Sequence, residues 1–165
     1  MSTATTIGLQ TSPALAIPLI GSSLTVFYAF TETAIFYSFL RAAEHDPATA
    51  SKAVRLWWTY FLTPGVSFIF ATTIPTIIGG YYTLKDFPQG SYQWKLIVAG
   101  ITFALGHFLY VPIISGTILS ITDQEVERRQ ETLGMVRKWL KIHFWRFFST
   151  DLPALLCFTA LAYGL

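Results

Sequence analysis

The chain has 165 residues, of which 53% are hydrophobic, 16% aromatic and 12% charged, against about 25% charged in soluble domains. With a mean hydropathy of +0.51, this composition excludes disorder, and it excludes a water-exposed fold because so little charge cannot cover a soluble surface. A net charge of +2 provides no basic stripe for nucleic acid. The single cysteine, Cys157, permits neither an internal disulfide nor a CxxC redox pair. The expectation is one all-α domain over residues 1–165, embedded in a lipid bilayer.

In chain order, Met1–Thr11 is a short tail without Lys or Arg. The apolar run that follows is too long, and its flank too uncharged, for a cleaved signal peptide, so an uncleaved first helix is expected. Four charge-poor stretches reach the roughly 20 residues that a helix needs to cross a bilayer: about 13–40, 56–80, 96–121 and 140–165. Between the first two, Ala42–Val54 reads as a plain loop or a short interfacial helix. Asp86-Phe87-Pro88-Gln89-Gly90 carries strong turn chemistry between the second and third. Before the fourth, Asp123–Lys138 is amphiphilic, and Thr122 or Asp123 with Glu125 and Glu127 has the form of a helix start.

Basic residues set the expected orientation. Arg41, Lys52 and Arg55 lie between spans one and two, and Arg128, Arg129, Arg137, Lys138 and Lys141 between spans three and four. The opposite side holds only Lys85 and Lys95. The positive-inside rule then puts both termini on the non-cytosolic side. Trp57, Trp58 and Trp139 are expected at the cytosolic interface, and Tyr92 and Trp94 at the other.

Ionisable residues inside spans cost roughly 2.5–3.5 kcal/mol each on insertion scales and mark functional positions by default. Here they are Glu32 in the first helix, His107 in the third, and His143, Arg146 and Asp151 in the fourth. At about 1.5 Å of rise per residue, Glu32 and Arg146 lie roughly 9–12 Å below the cytosolic interface, and His107 and Asp151 roughly 16–21 Å. Two acids, a guanidinium and an imidazole thus reach one region of a bundle, where their charges nearly cancel. His143, nearer the interface, is expected to reach headgroups or water. Tyr28 lies one turn before Glu32, Tyr110 one turn after His107, and an aromatic pocket of Phe27, Tyr28, Phe103, Phe108 and Tyr110 is a candidate. Gly100, Ala104 and Gly106 read as close-packing positions, and Pro18, Pro64, Pro75, Pro112 and Pro153 as bends. The dispersed histidines form no metal set, and established catalytic motifs are absent.

Two stretches carry a family resemblance: Leu105-Gly106-His107-Phe108-Leu109-Tyr110-Val111-Pro112 in the third span, and Trp139-x-x-x-His143-x-x-Arg146 entering the fourth. Together they resemble the anthrone oxygenase-like family of small four-helix membrane proteins. The resemblance implies an oxygenase that converts anthrone-type polyketides without metal or flavin, with molecular oxygen as co-substrate and no other cofactor. By position it carries over His107, Trp139, His143 and Arg146, while Glu32 and Asp151 come from the residue reading.

The combined expectation is a membrane oxygenase for a hydrophobic phenolic or polyketide-type molecule. His107 or Glu32 acts as base, Arg146 stabilises the resulting anion and Asp151 orients one of them. Tyr28, Tyr110, Trp139, His143 and Phe103 would bind substrate. A cofactor-free cyclase or isomerase is the nearest alternative; a proton-coupled transporter or an accessory subunit remains open, as does a homo-oligomer. In a eukaryotic host the endoplasmic reticulum membrane is the default location.

Overall fold

The computed structural model describes residues 13–165; the polar tail Met1–Thr11 read from the sequence lies outside the described residues. Among these, every regular element is helical. Three stretches are long and apolar enough to cross a bilayer: Pro13–Ala42, Pro47–Asp86 and Tyr92–Thr122.

The first is helix α1 (Pro13–Ala42), and the second is α2 (Pro47–Thr83) with a 3-10 turn at Leu84–Asp86. Here the structure corrects the expected linker. Only residues 43–46 lie outside the two helices, and Pro47–Val54 forms the first turns of α2. The cause is local: Pro47 is suited to the first helical turn, and the Asp46 carboxylate accepts from the Thr49 N–H at 3.0 Å. That bond also draws the Asp46 carboxyl below its ordinary range.

The third stretch is interrupted. Helix α3 (Tyr92–Gly106) gives way to a 3-10 turn, His107–Tyr110, before α4 (Val111–Thr122). Asp123 then caps the short α5 (Gln124–Arg128), as its sequence predicts. Helix α6 (Thr132–Arg146) starts earlier than the expected 140 and runs through a π turn, Phe147–Asp151, into α7 (Leu152–Tyr163). Arg55 of α2 pairs with Glu127 of α5, tying the two basic segments together.

α1 packs along α2, α7 against α3 and α1, and α6 against α4. Two large apolar cores result, with a small third one at Ala43, Ala50 and Leu133. One gathers Phe36, Val54, Trp58, Ile121, Val136 and Trp139; the other gathers Leu15, Ile97, Phe158 and Leu161. Trp58 and Trp139 are therefore core residues and not an interfacial belt: Trp139 is 1% exposed and lies against Phe36, with centroids 4.6 Å apart. Large apolar side chains instead cover the outside of the helices, Phe27, Phe30 and Leu109 among them.

Small residues bring the helices close. A Cβ at Gly100 would lie 2.8 Å from the Phe158 ring, and one at Gly21 would lie 2.2 Å from Thr76 Oγ1 and 2.8 Å from the Thr72 carbonyl oxygen. At Gly21 the obstacle includes backbone, which no rotamer change can move. Gly21→Val is therefore expected to part α1 from α2 and cost about 1–3 kcal/mol. Gly134→Ala, with nothing within 4 Å of the added Cβ, is expected to leave stability unchanged. Thermal unfolding in detergent compares the two.

Candidate active site

Between the two apolar cores lies a buried polar cluster: Glu32 on α1, His107 at the head of the 3-10 turn, His143 and Arg146 on α6, and Asp151 closing the π turn. Each irregular turn precedes a proline. Pro153 has no N–H to give the Ser149 carbonyl and its ring crowds that position, so the chain widens and Leu152 N–H bonds the Phe147 carbonyl instead. Pro112 likewise follows the tightened His107–Tyr110 turn. Side chains satisfy the disturbed backbone: the Thr150 hydroxyl donates to the Arg146 carbonyl at 2.6 Å, and Ser149 to Trp145 at 2.6 Å. The Tyr110 and Ser149 hydroxyls bond at 2.9 Å and clasp the two turns together.

Asp151 Oδ1 accepts from His107 Nδ1 at 2.8 Å, and its Oδ2 lies 3.4 Å from Arg146 Nε. Arg146 Nη2 lies 3.9 Å from Glu32 Oε2 and donates to His143 Nδ1 at 3.0 Å. Since a guanidinium only donates, Nδ1 of His143 must be the acceptor; its proton sits on Nε2, which donates to the Ala29 carbonyl at 2.9 Å. His143 is thus a neutral link, 2% exposed and stacked on Trp139, rather than a headgroup contact. Its 3.8 Å approach to Glu32 is a contact between a neutral ring and a carboxylate. With both histidines neutral and both carboxylates ionised, Glu32, Asp151 and Arg146 sum to one negative charge. One added proton brings the cluster to neutrality.

Glu32, His107 and Arg146 all line a cavity of about 290 Å³, walled otherwise by apolar and aromatic side chains that include Tyr28, Phe108, Trp58 and Trp139. This size lies near the lower end for small-molecule sites. Nδ1 of His107 is taken by Asp151, which leaves Nε2 as the nitrogen available to a cavity occupant. The indole N–H groups of Trp58 and Trp139 are buried without a hydrogen-bond partner. A larger groove of about 780 Å³, between α1 and the α6–π-turn segment, touches only His143 of the cluster.

Of the nine residues singled out from sequence, Glu32, His107, His143, Arg146 and Asp151 form one connected cluster, and Tyr28 and Trp139 stand at the cavity wall. Tyr110 and Phe103 are not in that wall: Tyr110 holds the turn clasp and Phe103 faces outward. Trp58 was missed because a tryptophan beside a basic loop reads as an interfacial anchor. Among the described residues no three His, Cys, Asp or Glu side chains are grouped to hold a metal ion.

Restoring regular helix at the π turn separates Arg146 from Asp151, because residues five apart in an α-helix do not share a face. Pro153→Ala is therefore expected to keep the protein folded while lowering turnover by at least about tenfold, the scale of a misplaced supporting group. Circular dichroism and a turnover assay check the two halves.

No family model matches the chain, and no solved structure does. Among curated proteins it is 30% identical over 148 residues to the epoxidase gkaX of Penicillium citrinum, covering 86% of this chain and 87% of that one. It is 29% identical over 150 residues to the probable epoxidase scpX of Mollisia scopiformis, covering 88% and 91%. To the epoxidase pydX of an Acremonium species it is 26% identical over 153 residues, covering 88% and 90%. Each match covers 86–88% of this chain and 87–91% of the relative. With them the chain belongs to the anthrone oxygenase-like family of fungal secondary-metabolite enzymes.

Proposed function

We propose that this protein is a membrane oxygenase of secondary metabolism that adds oxygen to a hydrophobic phenolic or polyketide-type molecule after removing an acidic proton from it. The relatives named epoxidases support the oxygenase class. The observation that carries the mechanism is the unbroken chain from Asp151 through His107 to a cavity that also holds Arg146 and Glu32. In this reading α6 and α7 together form a fourth span, both termini lie on the non-cytosolic side, and a eukaryotic host would keep the protein in the endoplasmic reticulum membrane.

His107 Nε2 takes the proton, and Asp151 holds the ring through Nδ1–H and balances the imidazolium. The cluster's single negative charge makes that uptake electrostatically favourable. Arg146 faces the developing enolate or phenolate, as a fixed cation does in a dry site. The unpartnered N–H groups of Trp58 and Trp139 offer hydrogen bonds to substrate oxygens. Tyr28 closes the wall near Glu32, where a Cβ at Gly65 would sit 2.7 Å from its hydroxyl. The anion's electron pair bonds to oxygen and gives a substrate peroxide, whose O–O bond then breaks with loss of water. Overall the substrate gives up two hydrogens and gains one oxygen atom while the second leaves as water, so the substrate supplies the electrons and no metal or flavin is called for. Whether the retained oxygen ends as a carbonyl or an epoxide is set by the carbon that the peroxide reaches next.

Removing a positioned base costs about 10²–10⁴-fold in rate. His107→Ala is expected to lose turnover on that scale while still inserting and folding. Arg146→Lys is the better probe at its position, because it keeps the charge that two buried carboxylates need but loses the planar fork. It too is expected to fall by at least about tenfold. Anthrone serves as the first probe substrate, followed by oxygen uptake; wild-type rates in both variants would remove this assignment.

A further inference from the structure

His107 also borders a second, much smaller cavity of about 10 Å³, large enough for one water molecule. It is lined by Ser22 and Thr25 of α1, Thr73 and Thr76 of α2, and His107 and Asp151. Two buried polar atoms of its lining residues have no hydrogen-bond partner: Thr73 Oγ1 and Asp151 Oδ2. Thr73 is 3% exposed, and so is Asp151.

The remaining lining groups have their donors committed. Ser22 donates to the Pro18 carbonyl at 2.7 Å, Thr76 to the Thr72 carbonyl at 2.7 Å, and Thr25 has its one proton shared between Thr72 Oγ1 at 2.9 Å and the Gly21 carbonyl at 3.0 Å. Their oxygens are left as acceptors. Only Thr73 has an O–H to give, and Asp151 Oδ2 can only accept. Arg146 Nε, 3.4 Å from that oxygen, attracts it but is not aligned to bond it. A carboxylate oxygen and a hydroxyl that both lack partners are costly in a low-dielectric interior. A single water answers the whole account: it accepts from Thr73, donates to Asp151 Oδ2, and places its other hydrogen on one of the acceptor hydroxyls.

We propose that this cavity binds one ordered water bridging Thr73 Oγ1 to Asp151 Oδ2, and that the bridge makes Thr73 a positioning residue for the His107–Asp151 pair. Held at Oδ2, the carboxylate cannot swing away from the imidazole, so Nε2 of His107 stays directed at the substrate cavity. The positioning role rests on the oxygenase reading above; the water site does not. It also gives a function to the hydroxyl-rich Thr72-Thr73-Ile74-Pro75-Thr76 run of α2, which otherwise reads as packing.

Two arms test the proposal. A high-resolution structure of the full chain in lipid nanodiscs is expected to show one density peak within about 2.7–3.2 Å of both Thr73 Oγ1 and Asp151 Oδ2, and to lose it in Thr73→Val. With anthrone as probe, Thr73→Val is expected to lower kcat by about tenfold with KM within about twofold, and Thr73→Ser to restore kcat. A cavity without density, where other buried waters are resolved, overturns the site. Density with an unchanged kcat in Thr73→Val overturns the positioning role, and so does loss through unfolding that Thr73→Ser fails to rescue. Density is read without turnover, so a wild-type protein inert toward every probe would sink the oxygenase reading while the water site stands or falls on its own.

Discussion

The structure depends on one buried cation. Arg146 lies between two carboxylates, 3.4 Å from Asp151 and 3.9 Å from Glu32. At an effective dielectric near 20, each of those contacts amounts to about 4–5 kcal/mol. Burying an ion costs several kcal/mol, so the attractions roughly offset the desolvation and leave little net stability. The arrangement therefore has its value in position. It fixes α1 and α6 in register at one depth and holds two carboxylates and a guanidinium around one cavity. An apolar cluster of the same volume would stabilise the bundle as well, yet it would have nothing to offer an acidic substrate proton.

Two prolines give this cation its geometry. Pro112 and Pro153 each sit just after an irregular turn, and the turns lie against one another through Tyr110 and Ser149. The 3-10 turn presents His107 and the π turn presents Asp151, so the key hydrogen bond joins the two distorted places in otherwise regular helices. Regular helix would strand these side chains on different faces. Apolar packing above and below, Phe36 with Trp58 and Trp139 at one end and Phe158 with Ile97 at the other, keeps the polar layer dry. The geometry of the cluster is thus written into local backbone departures that propensity alone would disfavour.

Much of this was legible in the residues. Charge-poor runs give helices wherever the backbone must bond internally in lipid, and ionisable residues within them stand out because they are costly there. Depth counting alone brought Glu32, Arg146, His107 and Asp151 to one region. What it could not provide was rotation about each helix. The π turn adds a residue to the last column, and the 3-10 turn tightens the third, so helical phase past either point is not the regular value; Tyr110 is placed with His107 on that regular phase, while Phe103 lies before the turn and is offered to the pocket only as an aromatic. His143 and Trp139 were read as interfacial because of the basic residues beside them, whereas α6 begins at Thr132 and carries both into the core. The start of α2 at Pro47 was obscured by a polar, proline-containing stretch whose cap, Asp46, is a single side chain.

The central claim is that the cluster directs molecular oxygen onto a carbon acid whose own electrons reduce it. The most direct measurement is turnover by the purified, chelator-treated protein under ¹⁸O₂, using extract from cells that lack the gene as the source of substrate. Product is expected to carry one ¹⁸O atom, the second recovered in water, at a rate unchanged by the chelator. Product that forms equally well without oxygen, or that draws its new oxygen from water, would contradict it and move the protein to an isomerase or hydratase chemistry.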